Sequence, residues 1–82
     1  MDFLVLLELI LALLKNCPQD DARVFEIAKR GGFLAALPIR RQFRQAGLRG
    51  SELRAAVQAA LDALAAATDD DIRAAIEDAK EV

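Results

Sequence analysis

The stretch FLVLLELILALL, residues 3–14, admits few folds: eleven of its twelve residues are apolar, the exception being Glu8. No turn residue interrupts it before Asn16, Cys17 and Pro18, so it reads as a helix over about residues 3–15. Twelve residues make roughly 18 Å of helix, too short for the roughly 30 Å hydrocarbon layer of a bilayer. At about 100° per residue, Phe3, Leu6, Leu7, Ile10, Leu13 and Leu14 fill one broad face with Leu4 and Leu11 beside it. Glu8, Ala12, Lys15 and Asn16 form a narrow opposite strip.

Such a helix must be covered. Burying one Leu- or Phe-sized side chain gains about 1.5–3 kcal/mol, so eight or nine gain on the order of 15–25 kcal/mol before entropy is counted. The rest of the chain offers modest partners, which leaves Leu4, Leu9 and Leu11 on the shoulders in need of further cover. The expected solution is association, most simply with a second copy of the chain or with another protein subunit. The expected interface is Phe3, Leu4, Leu6, Leu7, Ile10, Leu11, Leu13 and Leu14, with Glu8 at its rim or paired to an arginine.

The remaining sequence reads as further helices, giving an all-α fold: a single small bundle of four to five helices over residues 1–82. CPQDDARVFEIAKRGG predicts a helix over about 18–30, with Asp20 and Asp21 at its positive end, Lys29 and Arg30 at its negative end and Gly31 as its cap. Val24, Phe25, Ile27 and Ala28 give it a core face. In FLAALPIRRQFRQAG, a straight helix would point Leu34 and Leu37 almost opposite to Ile39, Phe43 and Ala46. A bend at Pro38 within 33–46 resolves that conflict, with a short turn of helix over Phe33 to Leu37 and a separate helix after it. Ser51 is placed to cap a helix over 51–67 whose Leu53, Val57, Ala60, Leu61 and Leu64 share a side. Thr68 and Asp71 have capping-box spacing, with Asp in place of the usual Glu or Gln, for a last helix over 69–80, the alternative being one continuous helix from Ser51 to about Lys80; the narrow stripe of Ile72, Ala75, Ile76 and Ala79 predicts a frayed final turn.

The net charge of −2 conceals a segregation. Residues 1–26 carry five acids and two bases, residues 27–61 one acid and seven bases, and residues 62–82 seven acids and two bases. The block can close on the chain's own ends, pair with the opposite end of a second copy, or meet phosphate or anionic lipid. Candidate contacts to phosphate or to an acidic partner are Lys29, Arg30, Arg40, Arg41, Arg44 and Arg49. PIRRQFRQAGLRG, following KRGG, has a loose helix-turn-helix order, so a nucleic-acid-binding module is one alternative function. A peripheral protein lying on anionic lipid through the first helix is the other.

Several chemistries lack their residues. The absence of His removes imidazole bases, catalytic triads and His-containing metal sites. Cys17 is the single cysteine, expected to be a small half-buried residue before Pro18 in an intracellular, cytoplasmic protein, or one within an intracellularly assembled particle. Ser51 and Thr68, the only hydroxyl side chains, are assigned to caps, and the acids of TDDD point in different directions. No enzyme activity, catalytic residue, cofactor or metal is expected. Asp2 near the start and the lack of a small-x-small cleavage pattern argue against a secretory signal. The expected function is that of a small structural or assembly protein. It would self-associate through its first helix and its complementary acidic and basic segments.

Overall fold

The computed structural model describes residues 3–15 and 20–81. These form an all-α fold of five helices: α1 (Phe3–Leu14), α2 (Asp21–Arg30), α3 (Gly32–Gln45), α4 (Gly50–Ala66) and α5 (Asp69–Lys80). The readings of Cys17 as half-buried and of Pro18 as a helix start lie outside the described residues.

Local chemistry sets most boundaries. The Asp20 carboxylate accepts the Arg23 amide at 3.0 Å, so Asp20 caps α2 and the helix begins at Asp21, later than the sequence suggests. Gly31, at φ +64°, turns the chain directly from α2 into α3 while its N–H donates to the Ile27 carbonyl at 2.8 Å. The Thr68 hydroxyl accepts the Asp71 amide at 3.1 Å, and extended backbone at Ala67 and Thr68 separates α5 from α4. Ile72, Ala75, Ile76 and Ala79 are all buried, and α5 stays helical through Lys80 instead of fraying.

Two boundaries differ from the sequence reading for identifiable reasons. Ser51 is not the N-cap of α4: the extended Arg49 takes that position, its carbonyl receiving the Leu53 amide at 3.3 Å. Gly50, at φ +58°, lets the helix begin one residue early. The second difference is larger, for α3 runs unbroken through Pro38. The conflict of periodicities is met by exposure: Ala35, Pro38 and Ile39 turn inward, while Phe33, Leu34 and Leu37 remain outside. Ala46, placed by the sequence on the buried side, is exposed, and Phe43 is half-buried.

The core is built around α1, which packs most extensively on α5 and also meets α2 and α3. Leu6, Leu9, Ile10 and Leu13 point into it against Val24 and Ala28 of α2, Ile39 of α3, Leu64 of α4 and the inner stripe of α5. Among the described residues no polar or charged side chain is buried, so packing alone holds the interior. Helices α2 and α5 run antiparallel, joined at one end by Lys29 to Asp69 (2.6 Å) and at the other by Lys80 to Asp21 (2.8 Å). Between these, the Arg73 guanidinium lies 4.7 Å from the centre of the Phe25 ring.

Candidate interaction surfaces

The residues expected at an interface on α1 divide into two sets. Leu6, Ile10 and Leu13, with 2%, 0% and 2% of their surface exposed, belong to the chain's own core. Phe3 and Leu4 are exposed, and Leu7, Leu11 and Leu14 are half-buried at the edge of that core. The outward residues are ordered: Leu4, Leu7, Leu11 and Leu14 are spaced three, four and three residues apart. That spacing places them on one narrow stripe, the arrangement of the seam in paired helices. Glu8, exposed, and Lys15 border the seam, and Lys15 donates from Nζ to Oε1 of Gln42 on α3 at 3.1 Å. Between α1 and α3 lies an open groove of about 510 Å³, with Val5, Leu9, Ala12, Ile39 and Phe43 among its walls and Glu8, Lys15 and Gln42 as its polar members.

The basic candidates divide as well. Lys29 is bound to Asp69, and that hydrogen bond holds the Asp69 carboxyl below its ordinary range. Arg30 pairs with Glu26 one turn earlier in α2 at 2.9 Å. Arg49 turns back on the preceding helix, its guanidinium donating to the carbonyls of Arg44 and Leu48, both at 2.8 Å, so it seals the C-terminus of α3. Arg40, Arg41 and Arg44 are exposed, and none of them forms an ion pair among the described residues.

These three arginines share their side of α3 with residues that sequence reasoning had turned inward. Because α3 is continuous, Phe33, Leu34, Leu37, Arg40, Arg41 and Arg44 fall within one arc of about 120° at helical spacing. Phe33 is 74%, Leu34 56% and Leu37 46% exposed. The face is apolar in its first half and basic in its second, with no acid on it. Near Phe33 and Leu34 the end of α2 contributes Arg23, Glu26 and Arg30 around a shallow depression. The signal that could have found this face is the periodicity conflict at Leu34 and Leu37, read as exposure rather than as a bend.

Among the described residues no helix is long and apolar enough to cross a membrane. Comparison of the chain with protein families, with curated proteins and with solved structures returns no significant match.

Proposed function

We propose that this chain is a non-enzymatic assembly protein that works through protein–protein contacts, pairing with a second copy of itself along α1. The observation that carries this reading is the two-sidedness of α1. Its inner leucines are spent on the core, and its outer Leu4, Leu7, Leu11 and Leu14 form a seam with the spacing that one helix offers another. A seam of this kind is self-complementary about a two-fold axis, the commonest symmetry of small oligomers. The acidic and basic segments add a means of orienting one copy on the next. An intracellular, cytoplasmic setting belongs to the same reading and is supported by a chain with a single cysteine.

The magnitude of the contact follows from what remains to be covered. Leu4 and three half-buried leucines from each copy gain on the order of 5–8 kcal/mol per pair. Association costs at least about 4 kcal/mol in lost freedom. Pairing is therefore weak, with a Kd of about 1 mM or higher, and sedimentation has to be carried into the range of about several millimolar to see the shift. The expected result is a concentration-dependent shift from one copy to two, abolished by Leu4→Glu together with Leu11→Glu while the helical circular dichroism is kept. A single species of one chain mass across that range overturns self-association.

A further inference from the structure

We infer that the outer face of α3 is a docking surface for an anionic lipid bilayer, with Phe33, Leu34 and Leu37 entering the boundary and Arg40, Arg41 and Arg44 gripping the headgroup phosphates. This surface is separate from the α1 seam and does not depend on self-association.

The apolar part comes first. Phe33, Leu34 and Leu37 are large side chains left in water on consecutive turns of one helix. Three such residues make a patch, which is what a monomeric surface ordinarily avoids. Their neighbours decide what can cover them. Arg40, Arg41 and Arg44 continue the same arc toward the C-terminal end of α3, and Arg23 and Arg30 stand beyond Phe33 and Leu34 at the other end. Among the described residues lining the shallow depression there, the one carboxylate, Glu26, is bonded to Arg30 at 2.9 Å. The apolar crest is thus flanked by arginines on both sides, and the face as a whole is cationic.

An amphipathic surface of this composition matches the bilayer boundary, where acyl chains lie beneath a layer of phosphate. Arginine stems are long enough to leave the guanidinium at the headgroup level while the shorter apolar side chains reach below it, and the guanidinium fork meets phosphate oxygens in pairs. Nucleic acid offers the phosphate without an apolar layer to receive Phe33 and Leu37. Acidic α5 makes no contact with α3, and both pack against α1. The acids of α5 therefore do not pack against the helix that bears this surface.

The test is flotation of the intact chain with vesicles of phosphatidylcholine and with vesicles containing phosphatidylserine. The expected result is partition into the anionic vesicles only, weakening as salt is raised. Each Arg→Gln change at 40, 41 or 44 should lower the partition about fivefold, and the triple change about a hundredfold. Phe33→Ser with Leu37→Ser should also release the protein, whereas Arg54→Gln, an exposed site on α4, should not. All these positions are exposed, and circular dichroism verifies that the helices persist. The inference is overturned by no partition into anionic vesicles at low salt, by partition indifferent to the Phe33 and Leu37 changes, or by capture on duplex DNA or an acidic peptide where vesicles leave the protein free.

Discussion

Helices α1 and α3 both leave apolar side chains in water, and they differ in what stands beside them. The outer leucines of α1 are bordered by one acid and one base, Glu8 and Lys15. The outer residues of α3 are bordered by arginines alone on their own helix. An apolar stripe without net charge is suited to another stripe like itself. An apolar crest among charges of one sign requires a cover that is apolar and oppositely charged at once. The distribution of charge around exposed apolar area, more than the area itself, separates the two surfaces.

The largest effect should appear where α1 faces inward. Ile10→Ala empties a fully buried site and should cost about 2–5 kcal/mol of stability by urea denaturation. Leu34→Ala, on the outside of α3, should stay within about 0.5 kcal/mol. Equal losses at the two positions would break the contrast between an interior and an outer face. Next in size are the crossed variants. Leu4→Glu with Leu11→Glu should remove the dimer in sedimentation and leave lipid partition measurable, and Phe33→Ser with Leu37→Ser should do the reverse. If either pair abolishes both properties, the two surfaces are one.

A smaller change is expected at Thr68, whose hydroxyl caps α5. Thr68→Ala should lower the unfolding free energy by about 1 kcal/mol without altering either surface. The smallest effects come from the ion pairs between α2 and α5. The bond from Lys29 lowers the pKa of Asp69 below 3.8, so its contribution is present above that pH and fades as the pH falls through the folded-state value. The bond to Asp21 raises the pKa of Lys80 above 10.5, so its contribution is complete below that pH and is lost as the pH climbs past the folded-state value. Thermal unfolding should therefore show only slight losses, confined to the acid and alkaline extremes.

The parts of this fold that were legible in the sequence are those governed by neighbours a turn away. Thr68 opposite Asp71, the inner stripe of α5, and the Leu53, Ala60 and Leu64 side of α4 follow from local spacing. The division of α1 into inner and outer faces did not, because a sequence of leucines does not reveal how many helices will surround it. Lys29 was legible as a charge but not as the partner of Asp69, forty residues away in the chain. Arg49 reads in the sequence as a phosphate contact, whereas its guanidinium is committed to two carbonyls nearby. At α3, the expectation that every Leu must be buried produced a bend, whereas Leu34 and Leu37 are where the helix meets its surroundings.

Pro38 carries a consequence for depth. Having no amide hydrogen, it leaves the Leu34 carbonyl without the donor that a helix normally supplies four residues on. That oxygen belongs to a residue on the outer crest, where water can serve it. Carrying it into hydrocarbon unserved would cost on the order of 4–8 kcal/mol, more than one leucine returns by entering. In the proposed docking the helix would thereby be held to a shallow berth, side chains wetted by oil and backbone still in reach of water.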